Sequence, residues 1–88
     1  MPIRVAWHGD ALDQLASLWM QTDDRAGITE ASGQIDIELS EQPLMKSRPA
    51  GDRLYSFRVL PLEVLFDFRP DNQVVEVVAV REVRPDRN

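Results

Sequence analysis

The spacing of apolar residues changes near residue 53, between two long stretches of this chain. Leu12, Leu15, Ala16 and Trp19 fall at i, i+3, i+4 and i+7, one face of a helix, and Leu18 and Met20 widen that face. Ile28, Ala31, Ile35 and Leu39 repeat the helical spacing. Ile35, Ile37 and Leu39 also alternate with polar residues, as a strand would, and Gly33 weakens a helix by roughly 1 kcal/mol relative to alanine. The longer register from Ile28 favours the helix, which Pro43 stops. From residue 53 onward the apolar positions alternate instead, and the period becomes that of strands.

Three strands are predicted there, over 53–60, 63–68 and 73–83. Pro61 joins the first two, and Arg69-Pro70-Asp71-Asn72 joins the last two. Strands this close in sequence pair as an antiparallel meander, because a parallel partner needs a crossover of about a dozen residues or more. In the first, Tyr55, Phe57 and Val59 share a face opposite Ser56 and Arg58. In the second, Val64, Phe66 and Phe68 oppose Glu63, Leu65 and Asp67. The third is apolar on both faces and is expected at the centre of the sheet, or covering a second surface.

Ahead of the helices, Ile3-Arg4-Val5-Ala6-Trp7 reads as a short strand broken by His8-Gly9. Asp10 is the expected N-cap of the first helix, and Thr22-Asp23-Asp24 ends it and caps the second. Residues 44–52 read as a loop. The order is β-α-α-β-β-β: an α+β domain spanning 1–88, with the N-terminal strand joining an antiparallel sheet and the helical hairpin covering one face. Trp7 and Trp19 are expected as core anchors.

With 88 residues the chain makes one domain, burying only about 60–65% of its unfolded surface. Cysteine is absent, so neither a disulfide nor a thiolate metal site reinforces it. No stretch is long and apolar enough to span a bilayer, and Met1-Pro2-Ile3-Arg4-Val5 is not a signal peptide; an intracellular, cytoplasmic location is the expectation. The net charge of −5 argues against a dedicated nucleic-acid binder. Its distribution is uneven. Residues 1–45 hold eight acids against Arg4 and Arg25, whereas residues 46–88 hold seven acids against eight bases.

The candidate chemistry is therefore cationic and lies in the sheet half. Arg58 stands on a polar strand face, Arg81 and Arg84 follow an apolar run, and Lys46, Arg48 and Arg53 flank the loop. His8 suits a contact at the helix entry. Asp23-Asp24 suits capping rather than metal binding, since no convergent ligands accompany it. No phosphate loop, dinucleotide-binding glycine pattern, nucleophile triad or zinc spacing is present, so no cofactor or metal is expected.

Three segments, Leu54-Tyr55-Ser56-Phe57-Arg58-Val59, Val64-Leu65-Phe66-Asp67-Phe68 and Val77-Val78-Ala79-Val80-Arg81-Glu82-Val83-Arg84, resemble the strands of the RelE/ParE superfamily of bacterial toxin–antitoxin modules. Val5-Ala6-Trp7-His8-Gly9-Asp10-Ala11 and the Leu18-Trp19 pair resemble its first strand and helix. The resemblance covers nearly the whole chain and implies an antitoxin protein as partner. In the RelE branch it implies metal-independent cleavage of messenger RNA on the ribosome by cations on the open sheet face. In the ParE branch it implies inhibition of DNA gyrase without nuclease activity. Carried over, the catalytic positions are Arg58 and Arg84, or Arg81 in a shifted register, with Lys46, Arg48 and Arg53 binding RNA or a partner. Where the RelE branch usually has an arginine opening the second meander strand, this chain has Glu63, and no histidine or tyrosine follows the last strand. If the intervening turn has an even number of residues, Glu63 lies near Arg58, and a carboxylate there would repel phosphate and compete for that arginine. A catalytically inactive interaction domain on the same scaffold is the alternative. A homodimer is a further expectation, because a strand apolar on both faces would leave one face needing a neighbour.

Overall fold

A computed structural model describes residues 3–83. Among the described residues it holds β1 (Arg4–Trp7), α1 (Gly9–Gln21), α2 (Arg25–Glu41), β2 (Arg48–Gly51), β3 (Leu54–Val59), β4 (Leu62–Arg69) and β5 (Val74–Glu82). The sheet order is β1-β5-β4-β3-β2. The α+β architecture, the two helices on one face and the antiparallel meander β3-β4-β5 follow the sequence reading.

Two features of the sheet correct it. First, β1 pairs with β5 in parallel, Arg4 opposite Val74 and Trp7 opposite Val77, so the sheet is mixed. The distance rule that forces the meander to be antiparallel does not constrain β1, because both helices and three strands separate it from β5. Second, residues 48–51, read as loop, form an edge strand on β3, Arg48 opposite Ser56 and Pro49 opposite Tyr55. Proline lacks a ladder donor and is tolerated only at such an edge. The pairing is irregular between Pro49 and Gly51, where Gly51 takes φ 142°, a conformation suited to glycine.

The helix ends are built locally. The cap of α1 is His8 rather than Asp10: its Nδ1 accepts from the Asp10 N–H at 3.2 Å. Asp24 caps α2, accepting from the Gly27 N–H at 3.0 Å. Its carboxylate packs so closely on residue 27 that a Cβ there would displace the capping side chain. Helix α2 runs to Glu41, just before Pro43, and no strand forms at Ile35–Ile37–Leu39.

One layer of core lies between helices and sheet. Ile28, Ile35 and Leu39 of α2 meet Phe57, Leu62, Val64, Phe66, Val75 and Val77, all nearly or fully buried. Each such side chain stabilises the fold by about 1.5–3 kcal/mol relative to exposure. Tyr55 stacks on its cross-strand partner Phe66 at 5.7 Å between ring centroids.

Helix α1 is rotated from the sequence expectation. It buries Ala11 and half-buries Leu15 and Leu18, while Leu12, Trp19 and Met20 are 50%, 42% and 70% exposed. Trp7 packs against the core as expected, with Nε1 donating to Asp36 at 2.7 Å. Trp19 does not: it lies at the surface under the Arg25 guanidinium, 4.5 Å from its ring centroid. The helix has two overlapping apolar stripes, and the one containing Ala11, Leu15 and Leu18 is held inward by Gln14, whose side-chain oxygen accepts from the Val80 N–H at 2.8 Å.

Candidate functional site: an ion triad on the open sheet face

The site depends on a bulge in β5. Leu65 pairs with Ala79, but Phe66 pairs with Val77, so Val78 is an extra residue. Before the bulge, Val75 and Val77 face the helices; after it, Val80 does. The inserted residue therefore turns Ala79 and Arg81 to the open face, where an uninterrupted alternation would have turned Arg81 inward. The open side of β5 thus carries Glu76, Ala79 and Arg81. The strand is central, as expected, but its apolar content is concentrated on the helix side.

The register then assembles a row across three strands. Arg58 on β3 lies opposite Glu63 on β4, and Glu63 lies opposite Arg81 on β5. Arg58 Nη2 donates to Glu63 Oε2 at 3.1 Å, and Arg81 Nε donates to Glu63 Oε1 at 2.7 Å. Both carboxylate oxygens are engaged by guanidinium groups. The Glu63 side chain is only 14% exposed, against 53% for Arg58 and 71% for Arg81. Burial alone would raise the Glu63 carboxyl. The hydrogen bonds from Arg81 and Arg58, with the charges of both, outweigh burial and hold it below the ordinary carboxylate range.

Glu63 also forms a wall between two shallow recesses. One, of about 300 Å³, is lined by Lys46, Arg48, Ser56, Arg58 and Glu63. The other, of about 360 Å³, is lined by Gln14, Glu63, Leu65, Ala79 and Arg81. Of the residues singled out in the sequence, Lys46, Arg48, Arg58 and Arg81 therefore surround one area. Lys46 also approaches Glu38 at 3.8 Å. Arg53 does not join them. It occupies the turn at the start of β3 with φ 61°, about 16 Å along the strand from Arg58 at 3.3 Å per residue. Arg84 lies outside the described residues.

The arrangement can bind an anion only in competition with its own carboxylate. Four cations stand against Glu63 and the Glu38 carboxylate beside Lys46, so the patch is net positive, yet its two central guanidiniums already share Glu63. A carboxylate held below its ordinary pKa is also a weak proton acceptor near neutrality. Tyr55 stacks on the helix-covered side and His8 caps α1, so neither supplies an acid or base at the triad. The role of Glu63 was partly legible in sequence, as an acid replacing an expected arginine. The bulge that brings Arg81 to it had no signal in an unbroken apolar run.

No protein-family model and no curated protein matches this chain. Solved structures do. A chain of the toxin–antitoxin complex RelBE2 from Mycobacterium tuberculosis superposes with a TM-score of 0.76 at 20% identity, covering 93% of this chain and 99% of that one. A chain of the chromosomal ParDE toxin–antitoxin system from P. aeruginosa gives 0.71 at 10% identity, with 93% and 97% covered. The YoeB/ParE toxin from Agrobacterium tumefaciens gives 0.69 at 19% identity, with 93% and 100% covered. At these identities the likeness is one of architecture, and it covers 93% of this chain: the chain shares the fold seen in these RelE- and ParE-type structures.

Proposed function

We propose that this chain is the toxin-like component of a bacterial toxin–antitoxin module, held inactive by an antitoxin, and that it acts by binding a protein target such as DNA gyrase rather than by cutting messenger RNA. The fold likeness to chains of toxin–antitoxin systems, over 93% of this chain, supports the first part. One observation carries the second: Glu63 engages Arg58 and Arg81 through both carboxylate oxygens. Cleavage would require those cations to stabilise charge developing on a phosphate, and preorganised groups do this only when aimed at that charge. Here they are aimed at a carboxylate. Among the described residues no helix is long and apolar enough to cross a membrane, which is compatible with action in the cytoplasm.

Induced expression of the chain alone in bacteria tests both parts. The expected result is growth arrest with altered plasmid supercoiling and intact ribosome-bound messages. Codon-positioned cuts in messages on purified ribosomes would overturn the second part and favour RNA cleavage, a reading to which the net positive patch around Arg48 and Arg58 lends support. Normal growth with unchanged topology and translation would overturn the toxin reading and leave the inactive interaction domain.

A further inference from the structure

Arg81 has a choice of carboxylates. On the open face Glu63 takes its Nε–H. A second recess beside Arg81, of about 350 Å³, is lined by Asp13, Ser17, Leu18 and Glu82. Gln14 lines this recess and also the one that holds Glu63, Leu65 and Ala79, so it stands between the two sets of acids. The Arg81 side chain is 71% exposed and has room to turn either way. An exposed ion pair contributes little on either side, so a contact of the size of one hydrogen bond decides between them.

Gln14 supplies that contact through the backbone of β5. Strand β1 stops at Trp7, opposite Val77, and beyond it β5 has no strand on this side among the described residues. After the bulge at Val78, the Val80 N–H is turned toward α1, at a residue only 5% exposed. A donor so placed needs an acceptor. Gln14 Oε1 provides it at 2.8 Å. Only the oxygen of a carboxamide can meet a donor, so the group has one orientation, and its amino side offers a guanidinium nothing to bind. We propose that Gln14 is the positioning residue of the ion triad: by fixing the backbone at Val80, it aims the next residue, Arg81, at Glu63 and away from Asp13 and Glu82. Without that bond the strand loosens at its bulge, Arg81 divides between the two recesses, and Glu63 keeps Arg58 alone. The charge presented at the centre of the open face is thus set by a helix packed on the covered face. The assignment is independent of what the open face binds.

The test uses the full chain, isotope-labelled for nuclear magnetic resonance. In the parent, the Arg81 Nε–H is expected to give a resolved signal, protected from solvent exchange by its bond to Glu63. Gln14→Ala, at an exposed helical position where alanine is well tolerated, is expected to speed that exchange about tenfold, as the loss of one hydrogen bond would. The Glu63 carboxyl should then titrate closer to the ordinary value of 4.5. In an Arg81→Ala background, where Glu63 has already lost this partner, Gln14→Ala should change that titration no further. Adding Asp13→Asn and Glu82→Gln to Gln14→Ala removes the competing carboxylates and is expected to restore the protection of Arg81. Ser17→Ala, in the same recess but without a bond to Val80, should leave both signals as in the parent. Unchanged exchange in Gln14→Ala would overturn the assignment, even with a lowered melting temperature, because Gln14 would then be a structural contact alone. A Glu63 shift that persists without Arg81 would overturn it too, as would a loss of protection that the two carboxylate replacements do not reverse.

Discussion

The two faces of the sheet are made by alternate residues of the same strands, yet they serve different ends. On the covered face, Leu62, Val64 and Phe66 of β4 are fully buried against the helices. On the open face, Glu63, Leu65 and Asp67 of the same strand meet solvent, arginines and small recesses. The covered face supplies dry contact area and tolerates little change. The open face adds little stability, because its ion pairs have half-exposed cations, and its chemistry is correspondingly free to vary. The difference separates what holds the fold from what the fold presents.

Adjacent residues test that separation most severely. Phe66→Ala is expected to cost about 3–5 kcal/mol by leaving a core cavity, and Leu65→Ala no more than about 1.5 kcal/mol, both read from urea denaturation. Equal costs would mean that the open face is covered as thoroughly as the other.

Glu63→Gln is the next largest effect, and it concerns binding rather than stability. Releasing Arg58 and Arg81 is expected to raise affinity for single-stranded RNA about tenfold at low salt. The dependence of log K on log salt should steepen by roughly 0.7 for each added phosphate contact. An unchanged affinity in a filter-binding titration would show that Glu63 does not mask the guanidiniums.

A smaller effect follows from pH. Glu63 titrates lower in the folded protein than in the unfolded chain, so its contribution is complete above the ordinary value of 4.5 and disappears as pH falls through its folded pKa. The stability difference between the parent and Glu63→Gln, measured by thermal melts, is expected to be constant from pH 7 to about 5 and to shrink below 4.5. A difference that grows on acidification would contradict the triad. The smallest effect separates two cations on the same hairpin. In the Glu63→Gln background, Arg48→Ala should reduce the salt dependence by about the 0.7 of one single-strand phosphate contact, whereas Arg53→Ala, at the far end of the strand, should leave it unchanged.

Most of the covered face was legible in the sequence because period-two alternation and burial have the same cause. The meander strands begin and end within about a residue of their expected limits, and Ile28, Ala31, Ile35 and Leu39 form the buried face of α2 as their spacing implies. The missed features lie where alternation carries no information. Pro49 and Gly51 concealed an edge strand, and the two overlapping stripes of α1 left its rotation to tertiary contacts through Gln14. The parallel partner of β1 was beyond any local signal. At the site, Glu63 beside Arg58 was legible only on condition of an even-numbered turn, which Leu60-Pro61 supplies, and Arg81 reached the triad through a bulge hidden in consecutive valines.

That bulge makes the outward chemistry of β5 depend on a reading-frame-like property of the strand. Adding or removing a single codon near Val78 would exchange which downstream side chains meet the medium and which meet the helices, with no other alteration upstream. A lineage sharing this scaffold could therefore acquire or discard an arginine at its exposed centre through one small insertion or deletion, a route that position-by-position sequence comparison would miss.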